Sequence, residues 1–264
     1  MDAVAFRPRP WIRLAWGLLV LYVVWAAARL DFTWSRFVVG LDNAEKFIGR
    51  MFPPEILQPD SMLNGLVESL EIAILSSFLG ILLSLPLGVF AARNLMPAWV
   101  SWPARGLIAL CRSFHPVIVA ILFVKAVGFG ALAGILTLTV ASLGFIGKLF
   151  AEAIEEISLK QVEAVRATGS PFISVLTYGV FPQVFSRFIG FSTYQIDSNL
   201  RNSTMVGIVG AGGIGSTLFA AFQRFDYNFV CAILIAIICM IMMGETLARA
   251  VRRLLGVDVQ KSDV

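Results

Sequence analysis

Residues 151–183 read AEAIEEISLKQVEAVRATGSPFISVLTYGVFPQ, a stretch far more polar than the apolar runs on either side of it. The apolar positions in its first half are Ile154, Ile157, Val162 and Val165, and the charged ones include Glu152, Glu155, Glu156, Lys160 and Glu163. Apolar residues at this near-helical spacing predict a short amphipathic helix. Such a helix is too short and too charged to cross a bilayer. The segment is therefore expected to join two membrane spans and to lie outside the lipid.

Three residues in the middle of this segment predict a break in the helix. Gly169 suits the left-handed position that follows a helix, because glycine lacks a Cβ. Ser170 is expected to cap the next helix, and Pro171 suits its first turn. The segment 151–183 is thus predicted to form helix, break and helix, a rigid shape suited to docking.

The flanking sequence predicts an all-α membrane protein. Hydrophobic residues make up 58% of the 264 residues, charged residues make up 14%, and the mean hydropathy is +0.83. Soluble domains carry about 25% charged residues, and the long apolar runs lack the two-residue alternation of outer-membrane strands. Six helices are predicted, and 31–62 is interpreted as an external loop with at most a short helix. The predicted spans are 11–30, 63–90, 105–127, 130–150, 184–209 and 228–249.

The basic residues predict the orientation of the chain. If both termini are cytoplasmic, thirteen of the 21 Lys and Arg residues fall on the cytoplasmic side, and five fall outside. Cytoplasmic loops of membrane proteins carry such an excess. We therefore expect a multi-pass inner-membrane protein with both termini and the segment 151–183 in the cytoplasm. The formal charge of +4 is explained by this bias and does not indicate a nucleic-acid partner.

The residues around the predicted break resemble the EAA motif of ABC importer permeases. That motif runs Glu-Ala-Ala, three residues, Gly, and later Ile-x-Leu-Pro; here it corresponds to Glu163, Ala164, Gly169 and Pro182. In such permeases this element is the coupling helix, which sits in a groove of the ATP-binding subunit. The resemblance implies that these four residues and Ser170 lie at that contact. The sequence departs from the motif at Val165, Gly179 and Phe181.

A wider resemblance, covering roughly 62–250, is to the phosphonate and phosphite permease family. It implies a type I ABC importer permease fold with six transmembrane helices and cytoplasmic coupling helices. It also implies a permease homodimer, two ATP-binding cassette subunits that hold ATP and Mg, and a periplasmic phosphonate-binding protein. The chain then divides into an N-terminal span and periplasmic segment (1–62), a permease core (63–250) and a cytoplasmic tail (251–264). The resemblance is carried by RSFHP at 112–116, GKLFAEAIEE at 147–156, RNST at 201–204 and GIVGAGGIG at 207–215.

Other motifs fail to predict an enzyme. The glycines at 210–215 fit GxGxxG, but they lie late in a membrane chain with no βαβ pattern around them, so a flexible or tightly packed external turn is expected instead. No GxxxxGK[ST] sequence is present, so ATP is expected on another polypeptide. His115 is the single histidine, and the chain gathers no obvious metal ligands. We expect no catalytic site, cofactor site or metal site in this chain.

Ionisable residues within the spans predict a weak anion path. Charges at membrane depth usually face a pathway or a partner. The hypothesis places Arg201, Ser203 and Thr204 along this path, with Arg112 and His115 as secondary members. The alternative is that Arg201 pairs with Asp197, four residues earlier, and only fixes helix packing.

Together these features predict alternating-access import of phosphonate-like anions, driven by separate ATPase subunits. One alternative keeps this mechanism and moves phosphite, a phosphate ester or another small solute. A secondary transporter would need no docking segment, and a membrane-embedded enzyme would need clustered catalytic groups that the sequence does not show.

Overall fold

The computed structural model describes residues 10–30 and 33–254, and their regular structure is helical. The predicted tail 251–264 therefore lies largely outside the described residues, as do the first nine residues. The chain separates into two compact units, 1–53 and 54–264. The described helices of the second unit are α3 (Pro59–Ala91), α4 (Ala98–Ser113), α5 (Pro116–Val127), α6 (Ala131–Glu155), α7 (Leu159–Ala167), α8 (Phe172–Ile208), α9 (Ile214–Gln223) and α10 (Tyr227–Leu254).

The first unit contains α1 (Pro10–Arg29) and α2 (Trp34–Met51). Helix α1 is long and apolar enough to cross a membrane, as predicted. The interpretation of 31–62 as mostly loop is wrong, because α2 is an 18-residue helix. Its sequence places apolar residues at Trp34, Phe37, Leu41 and Ile48, a helical repeat that gives one apolar face.

Five described helices are long and apolar enough to span a bilayer, and a sixth span is counted if α4 and α5 form one. The prediction of one helix over 105–127 is wrong in detail, since two helices, α4 and α5, occupy this stretch and meet at 92°. His115, between them, is extended with ψ at 140°. Because Pro116 follows, the α conformation is disfavoured at His115, and the helix turns there.

Close packing of α3 against α6 forms the centre of the second unit. Most of the buried positions on α3 are Gly, Ser or Ala. A Cβ added at Gly80 would lie 2.3 Å from the Ser142 Cβ, and one at Gly88 would lie 2.6 Å from a ring carbon of Phe150. Small residues let membrane helices approach closely where lipid offers no hydrophobic driving force.

A buried polar network joins α8 to this pair. The side-chain amide of Asn199 donates hydrogen bonds to Ser142 at 2.7 Å and to Ser77 at 2.9 Å. The amide of Gln195 also donates to Ser142, at 2.9 Å. All four residues are buried. The network therefore links α3, α6 and α8 through side chains, in addition to their apolar contacts.

The glycine-rich segment at 210–215 is a tightly packed turn between α8 and α9, as predicted. Gly210, Gly212 and Gly213 all have positive φ, from 75° to 94°. The amide of Ile214 donates a 2.8 Å hydrogen bond to the hydroxyl of Ser69 on α3. A Cβ at Gly213 would lie 2.5 Å from that hydroxyl oxygen. Glycine is required there both for the backbone conformation and for the close approach.

Candidate functional site

Helix α7 lies against the first turns of α8. The predicted helix through Ile154 and Val165 is not continuous, because α6 ends at Glu155 and α7 begins at Leu159. Val162 is buried in a cluster with Val175 and Val180. A Cβ at Gly179 would lie 3.3 Å from the Val162 Cα. The departure from the EAA motif at this glycine thus has a packing reason, since it brings the backbones of α7 and α8 close together.

The outer face of α7 is exposed and carries the residues that resemble the EAA motif. Glu163 and Ala164 are exposed, as is Gly169 beyond the end of the helix. Gly169 has φ of +74°, and its amide donates to the carbonyl of Arg166 at 2.9 Å. This confirms the predicted left-handed break after the helix.

The prediction that Ser170 caps the next helix is wrong. Its hydroxyl shares a 2.7 Å hydrogen bond with the hydroxyl of Thr168 instead. Pro171 occupies the position before α8, and no side-chain cap hydrogen bond is present there. The proline fixes φ near −65° by itself, so the chain enters α8 without a hydroxyl cap.

Pro182 is exposed on α8, two residues after a widened stretch of π-helix that runs from Val175 to Val180. Proline has no N–H, and its ring collides with the carbonyl four residues earlier in a regular α-helix. Widening the preceding turns relieves that collision. Pro182 therefore shapes the base of α8 and remains accessible at its surface.

Gln183 ties the start of α7 to the base of α8. Its side-chain oxygen accepts the amide of Ser158 at 3.0 Å, and its side-chain amide donates to the carbonyl of Gly179 at 2.6 Å. Arg187, one turn further along α8, forms an ion pair with Glu156. These contacts anchor the α6–α7 turn to α8 on two successive turns.

The end of α6 is also tied to the turn between α3 and α4. A Glu155 carboxylate oxygen accepts a hydrogen bond from Arg105 at 2.5 Å and one from the amide of Arg93 at 2.8 Å. Asn94 donates to the carbonyl of Ile154 at 2.7 Å. A displacement of α7 would consequently be passed to α3, α4, α6 and α8. These tethers were not predicted from the sequence, although a Gln and an Arg four residues apart directly after Pro182 mark one face of α8.

The five predicted pathway residues differ in their burial and in their contacts. His115 lies at the bend between α4 and α5, where its ring nitrogen accepts the amide of Val117 at 3.3 Å. Ser203 is fully buried, and its hydroxyl donates to the carbonyl of Leu200 at 2.8 Å. Thr204 is also buried. These two hydroxyls do not face an open path in the described chain.

Arg201 has the partner that the sequence analysis offered as an alternative. Its guanidinium lies 3.4 Å from the Asp197 carboxylate and 3.3 Å from that of Glu245 on α10. Arg201 is nevertheless exposed. Arg112, on α4, forms no ion pair within the described residues. Over the same residues no cluster of His, Cys, Asp or Glu could hold a metal ion.

Comparison with known proteins gives a family match over residues 84–261, to the binding-protein-dependent transport system inner membrane component. The chain is 39% identical over 231 residues to the phosphate-import permease protein PhnE of Mycolicibacterium smegmatis, covering 87% of this chain and 43% of that protein. It is 37% identical over 236 residues to the phosphite transport system permease protein PtxC of Stutzerimonas stutzeri, covering 89% and 85%. The chain thus spans less than half the length of the Mycolicibacterium protein and most of the Stutzerimonas one.

Solved structures share the fold. An inward-facing form of the MetNI methionine ABC transporter matches with a TM-score of 0.65 at 22% identity, covering 75% of this chain and 96% of that one. A bacterial ABC transporter that imports the polysaccharide alginate matches with a TM-score of 0.55 at 15% identity, covering 90% and 95%. At these identities the likeness establishes the fold alone, and it confirms the predicted type I importer architecture.

Proposed function

The chain belongs to the family of binding-protein-dependent transport system inner membrane components, and from this membership we propose that it imports small phosphorus oxyanions as the permease of an ATP-driven transporter. Relatives named for phosphate, phosphite and phosphonate transport support this cargo class. Within that class we propose a phosphonate as the cargo, with phosphite as the second candidate.

The exposed face of α7 carries this proposal. Glu163, Ala164 and Gly169 are accessible, while the opposite face of α7 is packed against α8. A helix with one apolar face packed against its own chain and the other face exposed is suited to bind a separate subunit. We propose that this subunit is an ATP-binding cassette dimer, which holds ATP and Mg, and that the gripped surface includes Ser170 and Pro182. This arrangement requires α7 and both termini to be cytoplasmic, as the distribution of Lys and Arg favours.

The proposed mechanism is alternating access in a pair of permeases. Closure of the ATPase subunits would draw the two α7 helices together. The tethers at Gln183, Arg187 and Glu155 would then move the attached helices as one body, which is the usual form of such transitions. A periplasmic phosphonate-binding protein would deliver the anion to the outward-open form.

The exposure of Arg201 supports the proposal that two copies of the permease pair. A guanidinium on an apolar span is costly when it faces lipid, yet Arg201 is exposed despite its two carboxylate neighbours. We propose that the other permease or the anion path between the two copies covers this face. The hypothesis of a path through Arg201 and Arg112 is retained, with Ser203 and Thr204 behind its wall.

Uptake into proteoliposomes tests the proposal. The chain is reconstituted with its ATP-binding subunit, and uptake of labelled methylphosphonate is measured with and without ATP and the binding protein. We expect uptake only when both are present, and competition by unlabelled phosphite. Uptake by this chain alone would instead indicate a secondary transporter. ATP-dependent uptake that no phosphorus oxyanion competes with would contradict the proposed cargo.

A further inference from the structure

A cavity of about 480 Å³ opens beside the tethers, between the end of α3, α4 and α6. Four cationic side chains line it, from Arg93, Arg105, Arg112 and Lys148, against the single lining carboxylate of Glu152. None of these cations is among the residues that the sequence analysis assigned to coupling, and only Arg112 was assigned to the anion path. The cavity is therefore a distinct basic feature of the described chain.

The positive charge of the cavity is only partly neutralised. Lys148 lies 3.4 Å from Glu152, and Arg105 is paired with Glu155. The backbone amide of Arg93 donates to the same Glu155 carboxylate, whereas its guanidinium forms no ion pair among the described residues. The Arg112 guanidinium has no ion pair or hydrogen bond among the described residues. Counting Glu152, which lines the cavity, and Glu155, which lies beside it, two carboxylates stand against four cations, which leaves an excess of two positive charges for an anion to neutralise.

The side-chain stem of Arg112 packs against α6, while the residue as a whole is exposed. A Cβ at Gly144 would lie 2.8 Å from the Arg112 Cγ and 3.0 Å from the Cys111 Cβ. The glycine allows the side-chain stem of Arg112 to lie against α6. Arg105 is seven residues earlier on α4, so the Cα atoms of the two arginines lie about 10 Å apart along the helix. Arg105 contacts Glu155 at the end of α6, whereas Arg112 lies beside Gly144, eleven residues earlier on the same helix.

We propose that this cavity binds a phosphoryl or phosphonyl oxyanion that carries an organic group. Arginine forks match the oxygens of tetrahedral phosphorus anions and bind them by paired hydrogen bonds. Apolar lining from Ile108, Ala109 and Ala151 offers a surface for the organic group. The volume lies within the range of small-molecule sites. The placement at the cytoplasmic end rests on the orientation in the proposed function, but binding itself does not.

Two sources share this chemistry, an imported phosphonate that is leaving the transporter and the head group of an anionic lipid. The purified full-length chain is studied without ATP or uptake, so a failure of import and a failure of this site are distinguishable. Methylphosphonate binding is measured by the broadening of its ³¹P signal, and phosphatidylglycerol retention is measured by native mass spectrometry. Displacement of the lipid by methylphosphonate would show that both enter the same cavity.

Neutralising Arg112 should weaken binding of the true ligand. Loss of one charge-assisted contact predicts about tenfold lower affinity for Arg112→Gln. Arg112→Lys keeps the charge and should retain part of the affinity, which separates lost binding from lost folding. Arg224→Gln is the matched control, because Arg224 pairs with Asp226 and does not line the cavity. The proposal is overturned if neither probe binds, or if Arg112→Gln and Lys148→Gln both bind as tightly as the unaltered chain.

Discussion

Substitution of Gly169 should separate backbone strain from contact with the ATPase subunit. The backbone there has φ of +74°, where a residue with a Cβ is disfavoured by about 1–2 kcal/mol. A penalty of that size lowers the ratio of the native break to alternative conformations by a factor of about five to thirty. Asparagine adopts this conformation more readily than other residues. Gly169→Asn should therefore retain most of the coupling between transport and ATP hydrolysis. Gly169→Ala should reduce that coupling several-fold.

A third variant tests the contact itself. A Cβ at Gly169 would meet no atom within 4 Å in this chain, so alanine and leucine should be tolerated similarly by the isolated permease. Any further loss of coupling in Gly169→Leu must then come from contact between the leucine and another subunit. The expected order of coupling is glycine, asparagine, alanine and leucine. The ratio of substrate imported to ATP hydrolysed in proteoliposomes measures this order, and pull-down of the ATPase subunit measures docking directly.

Two results would refute this reasoning in different ways. If Gly169→Leu transports and docks like the native chain, the residue is not at the contact with the ATPase. If Gly169→Asn loses as much as Gly169→Ala, the left-handed backbone is not the reason glycine is required. If the three purified variants have the same thermal stability as the native chain, the permease itself remains folded in each.

Two further predictions concern the packing of the second unit. Asn199→Ala removes donors to Ser77 and Ser142, and interhelical hydrogen bonds in membranes average about 0.6 kcal/mol each; we expect a loss of about 1–2 kcal/mol in denaturant unfolding. If Asn199→Ala and Ser142→Ala add without coupling in a double-mutant cycle, the network does not contribute as described. Gly80→Val should prevent stable folding, because its Cβ would lie 2.3 Å from that of Ser142, whereas Gly106→Val, with open space around it, should express and melt normally.

The sequence is enough to predict the features that depend on local composition. Apolar runs long enough to cross a bilayer mark α1, α3, α6, α8 and α10, because few other structures can bury such runs. The break at Gly169 is also local, since the residue without a Cβ reports the left-handed backbone directly. The resemblance to a permease family then supplied the order of elements around it.

Features that depend on contacts between distant residues were not predictable in this way. Ser170 looked like a cap, but its hydroxyl bonds to Thr168, a choice set by the path of the turn. Ser203 and Thr204 looked like donors for an anion, yet helix packing buries both. Gly179 looked like a weak match to a motif, and only the structure shows that α7 lies against it. Each outcome is decided by which helix face meets which neighbour.

The same contacts explain how a short helix outside the bilayer could drive motion within it. Helix α7 has one buried side chain, Val162. Its apolar packing against α8 would by itself be too small to fix the position of the helix. The side chains of Gln183, Arg187 and Glu155 bind the α6–α7 turn to elements on both sides. Those elements are in turn locked by close glycine contacts and the buried amide network. If a separate subunit pulls on α7 as proposed, the force would meet a stiff block and would move that block as a whole, since packed cores shift between discrete arrangements and do not bend continuously.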